Sequence, residues 1–214
     1  MKLLLLGEHY SDNLGDAIIS RCFRNFLLGR SIDFDCLDLS GRKKANKEKD
    51  IFSNKDEIHK RRNIRYLILK KYDFLHYHYS IIKTMKYVKQ SIPKFVQYDA
   101  AIYIGGSVLI NYFAFTIFYI NNILNKKNIP VYFYGCGTGK LKKNTEKKML
   151  IQALNLPNVK EIYLRDSIRF VNNNYMKNGK LAKKTYDIAL TTQDIFENSK
   201  KRYEVGLGYI SLDE

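Results

Sequence analysis

Apolar residues recur along this chain at two spacings, and the alternation between them sets out the elements. Leu3–Gly7 is a short apolar run of the kind a buried parallel strand requires. Asp16–Leu28 places Ile18, Ile19, Cys22, Phe23, Phe26 and Leu27 at helical spacing, with Asp16 as a candidate cap and Gly29 as the stop. Ile32–Leu39 alternates apolar residues with acids and predicts a second strand, which completes a βαβ unit with a right-handed parallel crossover. Ile64–Val88 then reads as helix, Asp99–Ile104 as strand and Ala114–Asn125 as an apolar helix. Val131–Tyr134 (strand), Thr145–Leu154 (helix), Glu161–Leu164 (strand) and Ser167 to about Asn173 (helix) follow. Asp187–Leu190 and Val205–Leu212 are expected to be further short strands. Strands alternating with helices predict an α/β fold, a doubly wound and mostly parallel Rossmann-like sheet.

In such sheets ligands bind beyond the carboxyl ends of the strands, and four polar or Gly-rich stretches fall there. The first, Gly7 to Asp16, contains His9, Asn13 and Gly15 but neither a dinucleotide fingerprint nor a P-loop. Asn and Gly tolerate the backbone that brings amides close to a ligand, although an N-capped helix after a turn explains the same residues. Gly105-Gly106-Ser107 follows the third strand, where bare backbone and the next amides could receive an anion, or simply make a tight turn. Gly135-Cys136-Gly137-Thr138-Gly139 repeats that logic, with Cys136 read as a small buried residue because no His is paired with it. Arg165-Asp166 offers a planar fork for carboxylate or phosphate, with Asp166 able to cap the next helix; a solvated ion pair is the alternative. His76-x-His78 on a helix points two ways and makes a weak metal motif, so no metal site is expected.

Charge changes the picture in one region. The chain has 214 residues, 37 Lys+Arg against 21 Asp+Glu, and a formal net charge of +16. Between Gly41 and Lys94 sixteen basic residues face five acids, so most of the excess lies in that stretch. Nucleic acid, an anionic membrane surface and merely solvated basic faces compete as explanations, and no nucleic-acid-binding signature accompanies the charge. Cys22, Cys36 and Cys136 are odd in number and widely spaced, which excludes a disulfide scaffold and fits reduced cytosolic thiols. The apolar run Leu3 to Leu6 is too short for a secretory signal. The uncharged stretch Ala100 to Asn125 is interrupted by glycines and asparagines and reads as strand plus buried helix, not as a membrane span.

The strand-end motifs, taken in order, resemble the polysaccharide pyruvyl transferase family. Asn13-Leu14-Gly15-Asp16 matches its N-[LI]-G-D loop, and Asp99 to Ser107 its strand ending in a Gly-Gly turn. Tyr134 to Gly139, Arg165-Asp166 and Asp187 match three later motifs, whereas Arg169 stands where the family commonly has Ser. The resemblance implies two Rossmann-like domains facing a cleft, as in GT-B glycosyltransferases. It implies transfer of the enolpyruvyl carbons of phosphoenolpyruvate to sugar hydroxyls as a ketal, at the cytoplasmic face and without a separate cofactor. The acceptor would be a surface polysaccharide or its lipid-linked precursor. Asp16 is then the expected general base or acceptor ligand. His9, Asn13, Gly15, Gly105, Gly106, Ser107, Gly137 and Arg165 become the expected substrate-binding residues. Residues 1–200 read as the first domain, with a basic helical insertion at 41–94. Residues 201–214 read as linker and first strand of a second domain, which leaves open whether these 214 residues act alone. A non-catalytic membrane- or partner-binding module and a nucleotide-sugar glycosyltransferase are the alternative readings.

Overall fold

The computed structural model describes residues 1–42, 73–92, 97–139, 141 and 143–191. Six parallel strands form one sheet: β1 (Lys2–Gly7), β2 (Asp33–Asp38), β3 (Ala100–Ile104), β4 (Val131–Cys136), β5 (Val159–Leu164) and β6 (Lys183–Lys184). Their spatial order is β2-β1-β3-β4-β5-β6. The helices are α1 (Leu14–Leu28), α2 (Asp73–Ser91), α3 (Asn111–Lys126), α4 (Asn144–Leu154) and α5 (Ile168–Asn174). The expected Rossmann-like α/β sheet is therefore present, and β1 to β5, α1, α3, α4 and α5 lie within a few residues of the sequence-based spans. The start of the helix expected at Ile64, the basic stretch after Arg42 and the strand expected at Val205–Leu212 lie outside the described residues.

The period-2 geometry of a strand explains how β1 serves two cores at once. Leu3 and Leu5 join Ile19, Cys22, Phe23 and Leu27 of α1 on one face. Leu4 and Leu6 point to the other face, into a core with Phe113, Ile117 and Ile120 of α3 and Leu150 of α4. A strand covered on both sides needs an unbroken apolar run, and that is what Leu3 to Leu6 supplies. Asn121, fully buried in α3, accepts from the Tyr103 hydroxyl at 2.9 Å and donates to the Ala153 carbonyl at 3.1 Å. This polar tie joins β3, α3 and α4. It shows why the uncharged stretch around it packs as a protein core, and among the described residues no helix is long and apolar enough to cross a membrane.

Two local expectations are corrected. Asp187–Leu190 is not a strand: Ile188–Thr191 forms a 3-10 turn, because the Asp187 carboxylate accepts from Ala189 N at 3.0 Å and its carbonyl from Leu190 N at 3.1 Å. The sixth strand is instead the exposed pair Lys183–Lys184, whose two lysines carry no apolar alternation. The α1 cap is Asn13, not Asp16; the Asn13 side chain accepts from Gly15 N at 2.9 Å and leaves Asp16 in the first turn.

Candidate active site at the carboxyl ends of the strands

The strand order reverses between β1 and β3, so their loops diverge and leave a crevice at the carboxyl edge. Glu8, Asp16, Ile19, Ser20, Gly105 and Gly106 line a narrow cleft there. A wider depression of about 340 Å³, lined by Lys148, Gln152, Asn155 and Pro157 among others, lies towards the amino end of β5.

On the β1 side the loop is pinned by Asp38, fully buried at the end of β2. Its carboxylate accepts from Tyr10 N at 2.9 Å, Ser40 N at 2.9 Å and Arg42 N at 3.2 Å. Ser40 and Arg42 in turn donate to one oxygen of Glu8, at 3.0 and 3.1 Å. Sequence reasoning missed both acids; the signal for Asp38 was an acid at a strand end followed by Ser40-Gly41, the composition of a side-chain-closed turn. His9 is buried. A carbonyl can only accept, so Nε2 donates to Leu5 O at 3.1 Å while Nδ1 receives the Ser20 hydroxyl at 2.7 Å. Burial, reinforced by the nearby Arg24 charge, pulls its pKa down to about 4 despite the Leu5 hydrogen bond. His9 thus touches the cleft only through Ser20.

On the β3 side both glycines have positive φ, +37° at Gly105 and +64° at Gly106. A Cβ on Gly105 would collide with Ile19, and one on Gly106 would stand 2.9 Å from Asp16 Oδ1. The bare turn is what lets the start of α1, with Asp16, close over β3. Asp16 Oδ2 receives only a long hydrogen bond, 3.4 Å, from Ser11. Several amides singled out in the sequence serve the fold itself. Gly15 N donates to Asn13 Oδ1, Gly105 N to Tyr134 O at 3.0 Å, and Gly137 N to Gly106 O at 2.7 Å. The Gly106 amide and that of exposed Ser107 have no hydrogen-bond partner among the described residues.

At β5, Arg165 Nη1 donates to Asp187 at 2.6 Å, and Nε lies 3.6 Å from Asp166. Asp166 does not cap α5; one of its oxygens accepts from both N and Oγ1 of Thr138, at 2.9 and 2.8 Å, and so fixes the Gly-rich turn after β4. Buried Cys136 in that turn has its thiol pushed up to about 12 by burial, which removes it as a nucleophile. The structure thus gathers Asp16 with Gly105 and Gly106, and Arg165 with Gly137, the two groups linked by the Gly137–Gly106 hydrogen bond. Among the described residues no three His, Cys, Asp or Glu side chains converge in a metal-ligating group.

An open parallel sheet with helices around it defines a Rossmann-like α/β protein, a class in which ligands bind beyond the carboxyl ends of the strands. The family model for polysaccharide pyruvyl transferase matches residues 13–212, and the chain belongs to that family. No curated protein and no solved structure matches it.

Proposed function

We propose that this chain is the acceptor-binding part of an enzyme that transfers pyruvyl from phosphoenolpyruvate to sugar hydroxyls of a surface polysaccharide or its lipid-linked precursor. One observation carries the assignment of the acceptor side: the charged residues lining the switch-point cleft are Glu8 and Asp16, both carboxylates. Arg42 and Arg165, near this edge, are each already joined to a carboxylate. With Glu8 paired to Arg42, the carboxylate of Asp16 carries the unpaired charge there, which disfavours a phosphorylated donor and accepts hydrogen bonds from neutral hydroxyls. Asp16 is the general base or hydroxyl ligand, and the Gly106 and Ser107 amides are the donors. Asn13, Gly15, Gly105 and Gly137 shape the turns, and His9 holds Ser20. Arg165 meets the substrate's phosphate or carboxylate only in company with Asp187. The phosphoenolpyruvate-binding groups belong to a second Rossmann-like domain in this reading, with residues 1–200 forming the first. The test is phosphate release and ketal formation from phosphoenolpyruvate and a sugar acceptor, with Asp16→Asn expected to lose at least a hundredfold in rate, the usual scale for a positioned acid–base group. Undiminished turnover by Asp16→Asn would remove the assignment.

A second reading concerns location. Tyr79, Ile82, Lys86 and Lys89 are exposed on α2 at spacings of three and four residues, which sets them on one face. Apolar and basic groups on one helix face suit an anionic lipid surface, so the segment 41–94 is proposed as a peripheral contact at the cytoplasmic side of the membrane.

A further inference from the structure

We infer that the amino end and outer edge of β5 form a separate binding surface, a basic groove that holds an acidic polysaccharide chain by its carboxylates, away from the strand-end cleft. Two depressions meet there. The first, about 340 Å³, is lined by Lys148, Gln152 and Lys177 together with Ile151, Leu156 and Pro157. The other, about 290 Å³, is lined by Lys160, Lys180 and Lys183 together with Val159, Ile162 and Met176. The Lys180 ammonium stands on the wall between them, donating to Leu156 O of the first at 2.6 Å and to Val159 O of the other at 2.8 Å. Lys160 reaches across the same wall to Pro157 O at 3.3 Å. The two depressions therefore join in one groove, which begins at the end of β5 opposite to Arg165.

Charge decides what such a groove takes. Five lysines line it against one acid, Glu161, and that acid is held by Lys183 at 2.8 Å. Lys148, Lys160 and Lys177 are exposed and pair with no carboxylate among the described residues. Burial, and then the charge of nearby Lys160, pull the Lys180 pKa down. Cations crowded in this way gain from an anion set between them. The form of the groove selects among anions. Ile151, Leu156 and Met176 are partly buried against the core, so the apolar lining is recessed where a flat lipid surface does not reach. Among the described residues no aromatic ring lines either depression, and nucleic-acid bases have no platform for stacking. Sugar rings fit this lining: their C–H faces meet the aliphatic side chains, and their carboxylates meet the lysines. A pyruvate ketal keeps its carboxylate, so a pyruvylated chain is itself an acidic glycan. The choice of a glycan among anions rests on the pyruvyl-transfer reading above, in a family that acts on polysaccharide. A chain held here by sugars already modified keeps its unmodified sugars at high local concentration near the enzyme.

The experiment measures binding of hexagalacturonate to the 214-residue chain by calorimetry at two salt concentrations. Its methyl ester, which has the same rings without charge, is compared with it, as are hexaglutamate and a hexathymidylate. Hexagalacturonate is expected to bind at least tenfold tighter than each of the three, and more weakly at the higher salt. Lys148→Gln/Lys177→Gln should weaken it about tenfold and Lys160→Gln about threefold, the scale of exposed charge pairs. Lys86→Gln/Lys89→Gln, which removes two exposed charges from α2, should change nothing. Equal binding of the methyl ester, of hexaglutamate or of hexathymidylate would overturn the inference, as would no binding of hexagalacturonate. An equal loss in the α2 variant would reduce the effect to net charge and overturn it too. Capture of anionic vesicles through Lys148, Lys160 and Lys177 would assign the groove to lipid instead. Phosphate release from phosphoenolpyruvate with a sugar acceptor is scored on the same preparation. Its absence beside intact, lysine-dependent glycan binding refutes the transferase reading and leaves the groove standing.

Discussion

Arg165 lies against the bare backbone of Gly137: a Cβ on that glycine would stand 2.9 Å from Nε and 3.0 Å from Nη2. The same guanidinium reaches Asp187 at 2.6 Å, so a missing side chain in the turn after β4 seats a charge that ties the end of β5 to the 3-10 turn. Gly137→Ala is expected to destabilise the fold by about 1–2 kcal/mol, the scale of modest overpacking. Part of that cost should vanish in an Arg165→Ala background, the remainder staying with Asp166 Oδ2, which would stand 3.0 Å from the same Cβ. A double-mutant cycle by urea denaturation measures the coupling, and simple additivity would show that the contact carries no energy.

The paired glycines after β3 give a sharper forecast. Gly105→Ala combines a left-handed residue with a collision against Ile19 and should cost about 2–5 kcal/mol. Gly106→Ala is milder in stability, about 1–2 kcal/mol for a left-handed non-glycine residue. Its Cβ would crowd Asp16 Oδ1, so sugar binding should fall further than stability does. Thermal melts and sugar titrations on the two variants separate these effects.

His9 links stability to pH. Its folded pKa of about 4 lies below the ordinary 6.5, so between those values the unfolded chain binds more protons than the folded one. Its contribution is therefore complete above pH 6.5 and declines as pH falls towards 4, by about 3 kcal/mol in all. Urea midpoints recorded at pH 7.5 and pH 5 should show the loss, and His9→Gln should flatten that part of the profile. A profile unchanged by the substitution would contradict the assignment.

Much of the fold was legible because its signals are local or periodic. The unbroken Leu3–Leu6 run needs burial on both faces, and α1 shows its stripe through Ile19, Cys22, Phe23 and Leu27. The Gly105-Gly106 turn was also visible, since two glycines after a buried strand announce a close approach. What sequence could not give was the partner in each approach. Glu8 and Asp38 became site residues only when the loops after β1 and β2 met, over distances of about thirty residues. Asp166 looked like a helix cap because capping is local, but its hydrogen bonds run to Thr138, 28 residues earlier. The β6 lysines carried no pattern, since an exposed two-residue edge strand has no core face to satisfy.

The basic region predicts salt-sensitive association with vesicles containing anionic lipid. Charge reversal at Arg61, Arg62 and Arg65, which lie outside the described residues, is expected to weaken cosedimentation at least tenfold, given about 1 kcal/mol per basic residue near the surface. Asp16→Asn should leave it unchanged. Binding that survives the triple reversal or is insensitive to salt would contradict a lipid contact by this segment.

The most direct test of the account is to map where a sugar binds. Backbone amide shifts of the isotope-labelled chain, titrated with a methyl glycoside it binds, are predicted to move at Asp16, Gly105, Gly106 and Ser107. Perturbations confined to Lys148, Gln152 and Asn155, around the larger depression towards the amino end of β5, would contradict it.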